Sequence, residues 1–158
     1  MRKLMLTGEV DEFMVEKTLK FLSASERFEN SIEVHLCTLG GCVYSGIAIY
    51  DLLKTSDLNI NILTHGACMS SGVIILMAGN KRMSMPNCQF LVHYGQDSSY
   101  SGTEVKHNAN ITKLMVQIIA DGSGKSVRSI KGWIDKETYF NPNQALKAGL
   151  IQGVHDGE

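Results

Sequence analysis

Thr64-His65-Gly66-Ala67-Cys68-Met69-Ser70-Ser71-Gly72-Val73-Ile74-Ile75-Leu76-Met77-Ala78-Gly79 is the stretch on which the rest of the chain is organised. It reads as the end of a buried strand, a turn through small residues, and an apolar helix that starts near Ser70. A serine at that place has two uses. It can cap the helix through its side-chain oxygen. It can also stand where free backbone N–H groups and the positive end of the helix favour developing negative charge. Gly66 and Gly72 leave room for another backbone to approach.

Working outward, Ile60 to Leu63 reads as the strand that feeds this turn, and Ile32 to Cys37 as an alternating strand before it. His35 falls on the polar side of that strand and reads as an ordinary exposed histidine. Thr38-Leu39-Gly40-Gly41 is a glycine turn, followed by a helix over Val43 to Leu53. Arg2 to Leu6 is a first strand, and Val10, Phe13, Met14, Phe21 and Leu22 recur at helical spacing up to about Ser25. Strand and helix therefore alternate, the order of an α/β fold with a mostly parallel sheet. Reactive groups in such sheets gather where strands turn into helices, and Gly40-Gly41 and Ser70 both stand there.

Downstream, Arg82 to Met85 and Cys88 to Val92 read as short strands parted by Pro86-Asn87, with His93 at the end of the second. Tyr94 to Gly102 is polar, rich in Gly and Ser, and reads as a loop or irregular strand. A long helix follows over Thr103 to about Ala120, with Val105, Ile111, Leu114, Met115, Ile118 and Ile119 forming a broad apolar face. Another helix is expected over Ser126 to Trp133. A short one over Pro142 to Ala148 has Asn141 as N-cap and Pro142 at its first position. One domain spanning 1–158 is expected, without repeat or linker.

The totals exclude several classes. A formal net charge of −1 gives no electrostatic reason to bind nucleic acid or an anionic membrane. No apolar run approaches the ~20 residues a membrane helix needs. The four cysteines (Cys37, Cys42, Cys68, Cys88) make no Cys-x-x-Cys pair and read as reduced core thiols of a cytoplasmic protein. The five histidines lack the spacing of a helical metal site, so neither metal nor cofactor is expected. Gly122, Gly124 and Lys125 follow a helix, the wrong context for a nucleotide loop.

Acyl transfer needs a nucleophile, a base, a group to orient the base, and donors for the oxyanion. Ser70 can be the nucleophile and His93 the base. The amides of Gly41 and Ser71 can hold the oxyanion, and an acid from Asp135-Lys136-Glu137 can orient His93. The nucleophile elbow of α/β-hydrolases is absent, since Gly66 stands four residues before Ser70.

These residues resemble the proteolytic subunit of the Clp proteases. Leu6-Thr7-Gly8-Glu9-Val10, Thr38-Leu39-Gly40-Gly41-Cys42-Val43, Ala48-Ile49-Tyr50-Asp51, Gly66 to Gly72, Pro86-Asn87 with Val92-His93, and Ala145 to Ile151 are similar to that family's motifs in one order along nearly the whole chain. The resemblance implies a ClpP/crotonase-like repeated β-β-α superhelix with a protruding handle helix over about 94–120. It also implies a serine endopeptidase acting on peptides and unfolded proteins, with Ser70 as nucleophile, His93 as base, and Gly41 and Ser71 as oxyanion donors. Counting back from Gly149-Leu150-Ile151 places Glu137 where the family has its acid, with Asp135 as the alternative. Homo-oligomers of stacked heptameric rings are implied, with the apolar face of the handle helix buried between subunits. Thr38-Leu39 stands in place of Ser-Pro, which implies a less rigid substrate turn. The resemblance offers an AAA+ unfoldase or a host Clp peptidase as partner, and the start of the core strand at Arg2, where the family has an axial segment first, counts against that docking. Virus-encoded relatives and capsid-maturation proteases of this fold are shortened similarly and give the nearest alternative. Two others are a catalytically inactive ring subunit and a crotonase-type acyl-CoA enzyme.

Overall fold

The computed structural model describes residues 1–25, 28–94 and 103–155, with 103–108 as backbone alone. In chain order the elements are β1 (Arg2–Thr7), α1 (Glu12–Ser25), β2 (Ser31–Thr38), α2 (Val43–Thr55), β3 (Asn59–Met69), α3 (Ser71–Leu76), β4 (Lys81–Ser84), β5 (Gln89–Val92), α4 (Thr103–Ser123), α5 (Val127–Asp135), β6 (Thr138–Phe140), α6 (Pro142–Lys147) and β7 (Gly153–Val154). The polar stretch 95–102, expected as a loop or irregular strand, lies outside the described residues, as does the Val105 side chain.

The sheet runs β1-β2-β3-β4-β7, all parallel. Alternation produces it. Leu4, Leu6, Ile32, Val34, Leu36, Ile60 and Ile62 are all at most 1% exposed on one face, while Lys3, Met5, Glu33, His35 and Asn61 occupy the other.

β3 is the pivot. Asn61 to Thr64 pair with β4, and Ala67 to Met69 pair in parallel with β5. Between the two lies a register shift against β2, from Leu36 opposite Thr64 to Thr38 opposite Cys68, at Gly66 with φ +57°. The sequence expectation ended this strand at Leu63 and put a turn after it. The strand instead continues to Met69, because a second partner strand takes over its pairing. α3 is correspondingly short, six residues that are all buried.

Three further readings are corrected. β6 and β7, three and two residues long, are too short to show a period and were not expected. On α4, Met115, Ile118 and Ile119 bury into the chain's own core with Val116 and Ala120, while Leu114 remains 43% exposed. Three residues of the face assigned to subunit contact are therefore intramolecular. Of the cysteines, Cys68 and Cys88 are buried but Cys42 is exposed.

One buried cation ties the C-terminal half together. Arg82 donates from Nε to Leu150 O (3.0 Å) and from its terminal nitrogens to Gly122 O (2.8 Å), Gly79 O (3.3 Å) and Gly149 O (3.3 Å). Three of those carbonyls lie at or just after the ends of α3, α4 and α6, where carbonyls lack helical partners and carry partial negative charge. The guanidinium is neutralised by helix ends in place of a carboxylate. α6 begins with the expected cap: Gln144 N donates to Asn141 Oδ1 (2.9 Å), and Asn141 N to Gln144 Oε1 (2.8 Å).

Candidate active site

Ser70 joins β3 to α3, and its geometry rules out the ordinary capping role. A capping serine has an extended backbone and accepts from an amide of the first turn. Ser70 has φ 55°, ψ −124°, and its side chain makes no cap bond. A non-glycine residue held at positive φ costs on the order of 1–3 kcal/mol and persists only where its surroundings impose it. Here the constraint is the sheet: the Ser70 amide donates to Leu91 O at 2.9 Å.

Strand register then sets its neighbours. Met69 pairs with Leu91 in parallel, so Ser70 lies beside Val92 and His93 comes next. On its other side β5 runs antiparallel to β6, with Leu91 opposite Tyr139 and Val92 opposite Thr138. One step further the same register faces His93 with Glu137. His93 Nδ1 lies 3.5 Å from Glu137 Oε1, the imidazole 24% and the carboxylate 62% exposed. Glu137 also has positive φ, 48°, and its amide donates to Ile134 O (3.1 Å) to close α5. That C-terminal position is usually glycine or asparagine. Thr138 Oγ1 donates to Trp133 O (2.8 Å) and fastens the turn. Asp135, the alternative acid, lies exposed in the last turn of α5 and makes no contact with His93 among the described residues. No hydrogen bond joins Ser70 Oγ to the His93 ring among the described residues. Register sets Ser70 and His93 just beyond the ends of the paired strands β3 and β5.

The glycine turn closes over Ser70. Gly40 has φ +108°, and a Cβ there would lie 2.7 Å from Ser70 Cβ and 3.2 Å from its Oγ. Gly41 pairs with Val10: Val10 N donates to Gly40 O (3.0 Å) and Cys42 N to Val10 O (2.8 Å), a pattern that does not use the Gly41 amide. Thr38 Oγ1 accepts from Gly40 N at 3.0 Å. The turn is thus braced by Val10 and the Thr38 hydroxyl, although Ser-Pro is missing. Ser71 opens α3 and is 2% exposed, and its hydroxyl has no partner among the described residues. Cys68 is fully buried, and burial pushes its thiol well up, with Cys88 and Cys37 adding to the effect, so it is no rival nucleophile. Beside the turn opens a cavity of 480 Å³ lined by Glu9, Cys37, Thr38, Leu39, Gly40 and Ala67 among others.

Residues 1–158 match the Clp protease family model. The chain belongs to the Clp protease family. It is 29% identical to the ATP-dependent Clp protease proteolytic subunit of Ligilactobacillus salivarius, covering 97% of this chain and 82% of that one. Its fold is that of ClpP1 from Listeria monocytogenes, with a TM-score of 0.90 at 23% identity over 99% and 92% of the two chains. The catalytic domain of the Plasmodium falciparum ClpP protease matches with a TM-score of 0.89 at 23% identity over 99% and 86%. As a Clp protease family member the chain is a serine peptidase. β6, unseen in the sequence, pairs with β5 so that Glu137, just before it, stands against His93. A signal for it did exist in Thr138-Tyr139-Phe140, three residues of high strand propensity.

Proposed function

We propose that this peptidase is an endopeptidase that cleaves peptides and unfolded proteins through Ser70, His93 and Glu137. Supporting this reading are the register of β3, β5 and β6, the 3.5 Å approach of His93 to Glu137 and the positive φ of Ser70. His93 takes the Ser70 proton as Oγ attacks the peptide carbonyl, and Glu137 at Nδ1 keeps Nε2 unprotonated for that transfer. The Gly41 amide and the Ser71 amide at the mouth of α3 receive the oxyanion. His93 then returns its proton to the leaving amine, and water releases the acyl group by the same route.

The chain works as one catalytic unit within rings of identical copies that enclose their sites, in a cytoplasm, on substrate in unfolded form. Exposed Leu114 on α4 and Tyr139 on β6 (64% exposed) support burial between copies. Among the described residues no helix is long and apolar enough to cross a membrane. The experiment is Ser70→Ala, read by fluorogenic peptides and light scattering together. Turnover falls by about 10⁴-fold or more, while the particle keeps a mass many times the 17.4 kDa chain. Unchanged turnover rejects Ser70, and a 17.4 kDa particle before and after rejects the ring.

A further inference from the structure

His35 and His65, on the sheet face away from the buried layer, are joined across β2 and β3. His35 Nδ1 lies 2.8 Å from His65 Nε2, and His35 Nε2 lies 2.6 Å from Glu33 Oε1. Lys3 Nζ from β1 stands 3.0 Å from the same oxygen. The sequence read His35 as exposed, but its side chain is only 13% exposed. The ring planes differ by 17° and the centroids are 5.0 Å apart, nearly the full length of the bond plus the two ring radii. The two nitrogens therefore meet head-on.

That geometry counts protons. With Glu33 accepting from Nε2, neutral His35 presents a lone pair at Nδ1, and His65 donates into it. One added proton leaves a donor and an acceptor facing each other, and the charge strengthens the bond. Two added protons place N–H against N–H. The arrangement suits a shared proton better than a metal ion. Head-on ligation at about 2.1 Å per bond would need the nitrogens about 4 Å apart.

The link also lies where the backbone ladder is weakest. β2 and β3 shift register between Leu36 and Thr38, and His65 falls in the span of β3 that the shift leaves without a direct partner. Immediately beyond, β2 delivers Gly40-Gly41 and β3 delivers Ser70. We propose that the His35–His65 bond is a proton-operated link that holds the ends of β2 and β3 together with none or one added proton and opens with two.

The charged and titratable groups facing the pair are Lys3 from β1 and Glu33 and Cys37 from β2, while Lys81 of β4 stands opposite Asn61, four residues before His65. Burial first, and then the charges of His35 and Lys3, hold His65 below the usual histidine range against the opposing pull of Glu33. A depressed histidine binds fewer protons folded than unfolded. Its contribution is present above the ordinary histidine pKa and fades as pH falls through the depressed value, so opening belongs on the acid side.

The test is a titration of ring-labelled histidines by NMR, with backbone hydrogen exchange measured on either side of the second step. His35 and His65 are expected to titrate together in two steps at least about tenfold apart in proton concentration. His35→Gln is expected to leave His65 a single step. After correction for intrinsic rates, exchange over 36–41 and 64–70 rises at least about threefold past the second step in the parent protein. In His65→Gln it does not rise, because the carboxamide donates to His35 without titrating. Independent single steps for the two rings, or an equal rise in His65→Gln, would overturn the link.

Discussion

Ser70 is held in a conformation its side chain disfavours, and this makes a test that does not depend on activity. At ordinary φ, alanine is the more stabilising residue; at positive φ, glycine is. Ser70→Gly is therefore expected to be about 1–2 kcal/mol more stable than Ser70→Ala by urea unfolding, with both inactive. The opposite order would mean that Ser70 carries no strain. Glu137, the proposed third member, is a surface carboxylate. At 3.5 Å and 62% exposed it is partly screened by water, unlike a buried aspartate. Glu137→Gln should lower kcat/KM by about 10- to 100-fold, and Asp135→Asn by less than about twofold. A larger effect from Asp135 would exchange their roles. Both candidate acids were legible in the sequence, and counting back from Gly149 favoured Glu137; the contact that Glu137 makes with His93 was not legible. It depends on the φ of one residue and the pairing of a three-residue strand, neither of which has a periodic signature.

At the scale of elements, long or strongly patterned segments were legible and partner-dependent ones were not. β1, β2, α1, α2 and α6 follow from alternation, helical spacing and the Asn141-Pro142 cap. The extension of β3 past Leu63 does not, because Thr64 to Met69 is strand only through its neighbours: β4 pairs with its start and β5 with its end. The helix ends that converge on Arg82 are likewise invisible in sequence, where Arg82 reads as one charge in a short strand. Arg82→Met removes every donor from four carbonyls and should destabilise the chain by about 3 kcal/mol or more in urea. Arg82→Lys should restore less than half of that, since one ammonium cannot span the fork. Full rescue by lysine would show that charge alone matters.

For the whole molecule, the sheet works as an alignment device. Its buried layer fixes β1 to β4, and the switch of β3 from β4 to β5 carries the chain to the neighbouring strand ends where Ser70 and His93 stand, with Glu137 3.5 Å from His93. The glycine turn reaches the same edge from β2, braced by Val10 near the start of the chain. The family's order of motifs was readable because its glycines, Ser70 and His93 stand at turns between elements. Subunit contacts were not, since Met115, Ile118 and Ile119 proved to serve the chain's own core. An inactive ring subunit would share all of this scaffold and differ only in whether the serine reacts. The most direct measurement is therefore mass spectrometry of the purified protein after exposure to a serine-directed fluorophosphonate. The account predicts one adduct per chain, mapped to Ser70 and lost in both Ser70→Ala and His93→Ala. An unmodified Ser70, or an adduct elsewhere that survives Ser70→Ala, would contradict it.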